Sequence, residues 1–192
     1  TPQLYTTRPA DSQFQSAIER GDSIVLIKGA RQMGKTSLLV RALHRATRTG
    51  ARVVYTDLQQ LNAQHLESAD NLYLSLCELL SHDLHLGVSP QESWDSRRGP
   101  NANFERFFRR EVLAGIQGRL VWGIDAIDRL FASPFGSEVF SLFRSWHNER
   151  ALDPASPWAQ LVLAIGYATE AHLFIPDLNQ SPFNVGTRVR LD

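Results

Sequence analysis

A glycine-rich segment early in the chain has the residue types that bind phosphate groups. Residues 29–36 read G-A-R-Q-M-G-K-T and match the complete pattern G-x-x-x-x-G-K-[ST]. The glycines allow consecutive backbone N–H groups to point at phosphate oxygens, at the N-terminus of the following helix. Lys35 would bind the β- and γ-phosphates, and Thr36 would bind Mg²⁺ through its hydroxyl. The predicted nucleotide-binding residues are Gly29, Ala30, Arg31, Gln32, Met33, Gly34, Lys35, Thr36 and Ser37.

An acidic residue at the end of a later apolar segment is the candidate metal-binding carboxylate. Residues 120–124 read L-V-W-G-I, which predicts a buried strand, and Asp125 follows directly. In P-loop nucleoside triphosphatases an aspartate at this place holds Mg²⁺ together with the hydroxyl of the phosphate loop. Thr36 and Asp125 are therefore the predicted metal ligands. The structural alternative is a surface aspartate that only caps the end of the strand.

The residue after Asp125 lacks a group that hydrolysis needs. ATPases with an additional strand in the sheet usually have a glutamate at this place, which orients and deprotonates the attacking water. This chain has Ala126, whose methyl group cannot accept a proton. We therefore predict a catalytic site with Lys35 and Asp125, in which Ala126 marks the position of the missing glutamate and hydrolysis is weakened.

Apolar strand-length segments alternate with amphipathic segments along the chain. Strands are predicted at residues 23–27, 52–55, 120–124, 161–165 and 188–191. Helices are predicted at residues 11–20, 35–48, 69–86, 104–116 and 137–150, with a surface loop at residues 87–103. This alternation is typical of an α/β fold, in which helices cover both faces of a parallel sheet. One core is apparent, so residues 1–192 are predicted to form a single domain.

Composition excludes several other classes of protein. The 20 basic and 20 acidic side chains give zero net charge, which argues against a non-specific nucleic-acid binder, although a local basic patch would still permit nucleic acid as a partner. The single cysteine, Cys77, excludes an intramolecular disulfide and a cysteine-based zinc site. The absence of an apolar run of about 18 residues and of a signal peptide leads us to expect a cytoplasmic location without a membrane partner.

Three segments of the chain together resemble a known family. They are residues 31–37 (R-Q-M-G-K-T-S), 124–131 (I-D-A-I-D-R-L-F) and 177–186 (D-L-N-Q-S-P-F-N-V-G). They resemble the bacterial AAA-like P-loop ATPase domain family, which is related to the STAND signalling ATPases and to origin-recognition-type ATPases. The resemblance runs from about residue 5 to the C-terminus. It implies a three-layer αβα sandwich with a five-stranded parallel sheet in the order 5-1-4-3-2, and a helical lid that we expect to be absent from residues 1–192.

The resemblance also implies roles for residues outside the two motifs. Thr169 would take the sensor-1 position, where a polar side chain contacts the γ-phosphate or water; the alternative is a threonine that starts a turn. Arg8 and Pro9 precede the first helix, where related ATPases hold the adenine base. The second motif of the family usually reads D-E-x-D, so Ala126 is a departure, either by natural degeneration or by a substitution that traps bound ATP.

These observations lead to one expected function and two alternatives. Guanine-specific P-loop proteins have an N-K-x-D box, which this chain lacks because its only lysines are Lys28 and Lys35, so ATP or ADP is expected with Mg²⁺. We expect a nucleotide-dependent switch in a larger signalling or defence protein, with fused effector or sensor domains and homo-oligomerisation. The alternatives are a non-hydrolysing pseudo-ATPase scaffold, and a DNA-linked ATPase of the replication-initiator or transposition-helper kind.

Overall fold

A computed structural model describes residues 8–30, 34–168 and 182–191. The strands are β1 (Ile24–Gly29), β2 (Arg52–Asp57), β3 (Leu120–Asp125), β4 (Leu161–Tyr167) and β5 (Thr187–Leu191). The α-helices are α1 (Pro9–Arg20), α2 (Lys35–Arg48), α3 (Ala69–Asp83), α4 (Pro90–Ser93), α5 (Pro100–Phe107) and α6 (Gly136–Leu152). A π-helical turn spans Phe108–Leu113, and short 3-10 turns span Leu58–Gln60, Ala63–Leu66, Ile127–Leu130, Pro157–Gln160 and Pro182–Asn184.

The five strands form one parallel sheet in the order β2-β3-β4-β1-β5. This is the predicted order 5-1-4-3-2 read from the opposite edge, so the predicted fold is confirmed. The register places Asp57 of β2 level with Asp125 of β3. Because parallel strands all point the same way, the segments that follow β1 and β3 meet at the carboxyl edge of the sheet.

Helices cover both faces of the sheet and create two apolar clusters. Helices α1 and α2 cover one face, where the buried residues of α2 are Leu38, Leu39, Ala42, Leu43 and Ala46. Helices α3, α5 and α6 cover the other face with a cluster that contains many aromatic side chains among its aliphatic ones. In this cluster Trp146 stacks on Trp158 with ring centroids 4.1 Å apart, and Trp122 of β3 packs beside Phe108. The sheet is therefore the middle layer of a three-layer sandwich.

Several element boundaries differ from those predicted from sequence. Helix α1 begins at Pro9 rather than at Asp11, because proline is favoured in the first helical turn and Asp11 acts from inside the helix by accepting a bond of 2.7 Å from the Arg8 N–H. The helix predicted at residues 104–116 begins earlier, at Pro100, and continues into the π-helical turn. Helix α3 ends at Asp83, three residues earlier than predicted.

Membrane-spanning segments were sought among the described helices. Within residues 8–30, 34–168 and 182–191, no helix combines the length and the apolar character needed to cross a bilayer.

Candidate functional site

The glycine-rich segment connects β1 to α2 at the carboxyl edge of the sheet. Gly29 is the last residue of β1, Ala30 is exposed, and α2 begins at Lys35. Thr36 and Ser37, in the first turn of that helix, are exposed. Three of the predicted nucleotide-binding residues lie outside the described residues, and their roles stay predictions: Arg31, Gln32 and Met33. The described part of the segment has the strand–loop–helix arrangement that a phosphate-binding loop requires.

The backbone conformation at position 34 favours glycine. Gly34 has a φ of 85°, in the left-handed region that side chains rarely adopt. A Cβ built on Gly34 would lie 2.9 Å from Nη2 of Arg8. The Arg8 guanidinium therefore lies against the phosphate-binding loop, at the start of the helix where anions bind. That Arg8 and the exposed Pro9 contact an adenine base stays a prediction.

Lys35 and Thr36 both contact Asp125, although they are separated from it by 90 and 89 residues in the chain. The Lys35 ammonium lies 3.2 Å from Oδ1 of Asp125, and the Thr36 hydroxyl donates to Oδ2 at 2.5 Å. Asp125 is only 4% exposed at the end of β3. The structure thus brings together the two segments that the sequence predicted to form one nucleotide and metal site.

Two further donors complete the surroundings of the Asp125 carboxylate. The Ala126 backbone N–H donates to Oδ1 at 2.9 Å, and the Tyr55 hydroxyl donates to Oδ2 at 3.2 Å. Each carboxylate oxygen therefore has two donors. Sequence reasoning missed Tyr55. The alternation of β2 places Tyr55 on the same face as Asp57, but only the register observed between β2 and β3 shows that this face meets Asp125.

The charges around Asp125 favour its ionised form. Burial alone would raise the pKa of the carboxyl group, but the hydrogen bond from Thr36, the charge of Lys35 and the Ala126 N–H outweigh it. The pKa of Asp125 therefore lies below its ordinary value, and the group is a carboxylate at neutral pH. Burial and the nearby negative charge of Asp125 raise the pKa of Tyr55, which keeps its hydroxyl protonated and able to donate.

Gly166 of β4 lies directly beside the contact between Lys35 and Asp125. A Cβ built on Gly166 would lie 2.9 Å from Oδ1 of Asp125 and 3.4 Å from Cδ of Lys35. The absence of a side chain at this position leaves the space in which the lysine and the carboxylate meet.

The segment after Asp125 has an unusual backbone and a second carboxylate. Ala126 has φ 60° and ψ 40°, which places it in the left-handed region. Asp128 accepts a hydrogen bond of 2.9 Å from the backbone N–H of Ala168, just beyond the end of β4, so its carboxylate connects two strand ends. Thr169, the predicted sensor-1 residue, lies outside the described residues and its role stays a prediction.

The donor set at Asp125 is suited to a hard cation. Mg²⁺ prefers oxygen ligands, and proteins usually bind it through one or two carboxylates together with substrate phosphates and water. Thr36 and Asp125 supply a hydroxyl and a carboxylate oxygen at one place. Across residues 8–30, 34–168 and 182–191 no group of three or more His, Cys, Asp or Glu side chains could hold a metal ion unaided. The residues present fit a Mg²⁺ ion that also binds phosphate oxygens.

Comparison with known proteins identifies the family. The sequence model described as "AAA-like domain" matches residues 1–192. A WD repeat-containing protein of Synechocystis sp. is 30% identical over 194 residues, a match that covers 97% of this chain and 16% of that protein. Among solved structures, the Aeropyrum pernix ORC1 protein in complex with DNA aligns with a TM-score of 0.64 and 17% identity, over 100% of this chain and 46% of that one.

A second solved structure has the same fold. AMPPCP-bound DnaA from Aquifex aeolicus aligns with a TM-score of 0.54 and 16% identity, covering 100% of this chain and 51% of that one. The chain thus spans about half the length of these two structures, and their low identity extends the likeness to the fold alone. Because the family match covers every residue and the observed fold agrees with it, the chain belongs to the AAA-like domain family of P-loop ATPases.

Proposed function

We propose that this chain is an ATP- and Mg²⁺-binding domain that acts as a nucleotide-dependent switch in a longer protein. The observation that carries the proposal is the contact of Lys35 and Thr36, at the start of α2, with Asp125 at the end of β3. Lys35 would exchange the carboxylate for the β- and γ-phosphate oxygens, and Thr36 and Asp125 would hold Mg²⁺. When bound, Mg²⁺ would neutralise charge on these phosphate oxygens. The backbone around Gly34 would bind the phosphates through its N–H groups.

The proposed nucleotide is ATP or ADP rather than a guanine nucleotide. The chain has no lysine beyond Lys28 and Lys35, so the N-K-x-D box for guanine cannot be present within residues 1–192. The DnaA structure with the same fold contains AMPPCP, an adenine nucleotide, which supports the same choice.

We also propose that hydrolysis is slow and that the ATP-bound state is long-lived. The groups that contact Asp125 are an ammonium, two hydroxyls and a backbone N–H, and none of them is a general base at neutral pH. The Oδ2 oxygen of Asp128 accepts a hydrogen bond from the Ala168 N–H, which holds this carboxylate at the end of β4. Ala126 supplies no acceptor at the position where a glutamate is usual. A γ-phosphate that persists would keep the loops around it in one conformation, which is the property of a switch.

The switch role depends on domains outside this chain. The Synechocystis relative is a WD repeat-containing protein, and the match covers only 16% of it, which supports an ATPase domain that is fused to repeat or sensor domains. Homo-oligomerisation and a cytoplasmic location stay predictions. The DNA-linked alternative is supported by likeness in fold to a DNA-bound protein, while the zero net charge argues against it. A DNA-binding assay at two salt concentrations separates the switch proposal from the DNA-linked alternative, because binding to DNA phosphates weakens steeply with salt.

Calorimetry with nucleotide-free protein tests the proposal. We expect ATP with Mg²⁺ to bind and GTP to bind more weakly. Lys35→Ala should lower ATP affinity by at least about tenfold, because a hydrogen bond to a charged group contributes about 1.5–3 kcal/mol. The matched control is Arg45→Ala, which removes a positive charge from the exposed side of the same helix and should leave the affinity unchanged. Undiminished ATP affinity in Lys35→Ala would contradict the proposed site.

A further inference from the structure

Tyr55 connects the outer edge of the sheet to the buried carboxylate. Strand β2 is an edge strand, and Tyr55 is 37% exposed on it. Its hydroxyl nevertheless reaches Oδ2 of Asp125 at 3.2 Å. We propose that Tyr55 is a positioning residue that fixes the orientation of the Asp125 carboxylate toward Mg²⁺. This inference rests on the proposed function, because it assigns Asp125 to the metal.

The register between β2 and β3 explains how Tyr55 reaches the carboxylate. Tyr55 lies opposite Gly123, and Asp125 follows two residues later on the same face of β3. Gly123 has no side chain, and a Cβ built there would lie 2.9 Å from Cδ1 of Leu43 in α2. The position of β3 directly opposite Tyr55 thus carries no side chain. The phenol can extend along this face toward the end of the strand, where its hydroxyl meets Asp125.

Two of the four donors to Asp125 would also bind the nucleotide or its metal, and the other two would not. Lys35 on Oδ1 and Thr36 on Oδ2 are the residues proposed to bind phosphate and metal. The two donors without such a role are the Ala126 N–H on Oδ1 and the Tyr55 hydroxyl on Oδ2. When Lys35 turns to the phosphates, these two donors remain, one on each oxygen.

One donor on each oxygen fixes the rotation of the carboxylate. The last torsion of an aspartate side chain is broad and has weak intrinsic preferences, so a single donor leaves the plane of the group free to turn. The Ala126 N–H fixes one oxygen by way of the backbone. The Tyr55 hydroxyl fixes the other oxygen, and groups that orient metal ligands typically change metal affinity by about 10–100-fold when they are removed.

A substitution of one oxygen atom tests this role. Tyr55→Phe keeps the ring on the sheet edge and removes the hydroxyl. We expect the Mg²⁺ concentration needed for half-maximal tightening of ATP binding to rise about tenfold, while ATP affinity measured in EDTA stays the same. The matched control is Tyr73→Phe, which removes a buried hydroxyl bonded to Asn101 at 2.7 Å and away from the site. Tyr73→Phe should change neither quantity, and unfolding midpoints of both variants monitor the fold.

Asp125→Asn serves as the reference and separates the possible failures. We expect it to weaken Mg²⁺ binding more than Tyr55→Phe does. If Asp125→Asn weakens Mg²⁺ binding and Tyr55→Phe does not, the role of Tyr55 is overturned and the proposed function stands. If ATP binding by the wild-type protein does not depend on Mg²⁺ at all, both are overturned. An equal loss of Mg²⁺ affinity in Tyr55→Phe and Tyr73→Phe would show a general effect on the fold, and would also overturn the role of Tyr55.

Discussion

Two groups of contacts at opposite ends of the sheet differ in what their charged side chains bind: Lys35 at the carboxyl end binds the Asp125 side chain, whereas Arg119 and Arg150 at the amino end bind backbone carbonyl groups. The first arrangement is the cluster around Asp125, built from Lys35 and two hydroxyls. At the amino end, Arg150 donates to the carbonyl of Leu161 at 3.1 Å and also to the carbonyl of Gly21. Arg119 likewise donates to the carbonyl oxygens of Ile18 and Glu19, at 3.3 and 3.0 Å.

This difference leads us to expect that the carboxyl-end cluster serves the proposed ligand site and that the amino-end contacts serve stability. A side chain that binds another side chain can turn to a ligand by changing rotamers, without moving the backbone. A side chain that binds a backbone carbonyl removes a hydrogen bond from that carbonyl when it is released, and a buried carbonyl left without any partner costs about 1–3 kcal/mol. Substitutions at the carboxyl end should therefore alter nucleotide chemistry, and those at the amino end should alter unfolding.

The largest expected effect is on turnover at the carboxyl end. Ala126→Glu should raise ATP hydrolysis by roughly 10²–10⁴-fold, because a positioned general base contributes that much, while ATP affinity stays nearly unchanged. Both residues have a Cβ, so the left-handed backbone at φ 60° imposes a similar cost on each. Phosphate release and ATP affinity are measured for both proteins, ideally in the longest chain that can be produced.

Ala126→Gln is the control for this prediction. Glutamine has nearly the same size as glutamate but cannot accept a proton from water. The prediction requires turnover by Ala126→Glu to exceed that of Ala126→Gln. Equal and negligible turnover in the two variants would favour the non-hydrolysing scaffold.

An intermediate effect is expected on stability at the amino end. Arg150→Met keeps most of the aliphatic stem and removes the donors to Leu161 and Gly21, so the free energy of unfolding should fall by about 1–3 kcal/mol. ATP affinity should not change. The control is Arg20→Met, since the Arg20–Asp22 ion pair is exposed and should contribute less to stability than the bonds of Arg150 to backbone carbonyls. Urea unfolding measures both variants, and a loss of ATP affinity in Arg150→Met without a loss of stability would break the comparison.

The smallest effect is a pH dependence at the same end. Burial lowers the pKa of His147, and the nearby charges of Arg144 and Arg150 lower it further; its Nδ1 contacts the Ser23 hydroxyl. As the pH falls, the imidazole of His147 therefore becomes protonated in the unfolded chain at a higher pH than in the folded protein. Stability should be complete above the ordinary histidine pKa and should fall, by less than about 1 kcal/mol, as the pH drops from about 7 to 5.

His147→Gln should flatten this slope, because glutamine does not titrate. The exposed His82→Gln serves as its control and should retain the slope of the wild-type protein. Unfolding in urea at several pH values provides the measurement. A slope that persists unchanged in His147→Gln would assign the pH dependence to other groups.

The sequence predicted those parts of the fold that depend on local pattern. Helix α2 has the predicted bounds of residues 35–48, since a glycine precedes it and its apolar residues repeat at helical spacing. The π-helical turn at Phe108–Leu113 was not predicted, because its hydrogen bonds reach one residue further than those of an α-helix while the apolar spacing is similar.

The candidate site likewise has residues that the sequence predicted and one that it did not. The motifs predicted Lys35, Thr36 and Asp125 as site residues, and in the structure Lys35 and Thr36 both contact Asp125. Tyr55 belongs to no motif. Its contact with Asp125 depends on the register between β2 and β3, a long-range property that spacing along one strand does not encode.

Gly166 shows how a charged site can restrict a residue that has no functional group of its own. Its nearest carbon neighbours, Cδ of Lys35 and Cγ2 of Ile27, would lie 3.4 and 3.6 Å from an added methyl carbon, which are ordinary contact distances. The oxygen of Asp125, at 2.9 Å, would be too close. The carbon contacts alone would thus accommodate alanine, and the Asp125 carboxylate is the group that an added methyl would displace. Any residue larger than glycine at position 166 would therefore require the Asp125 carboxylate to shift from the place where it meets Lys35.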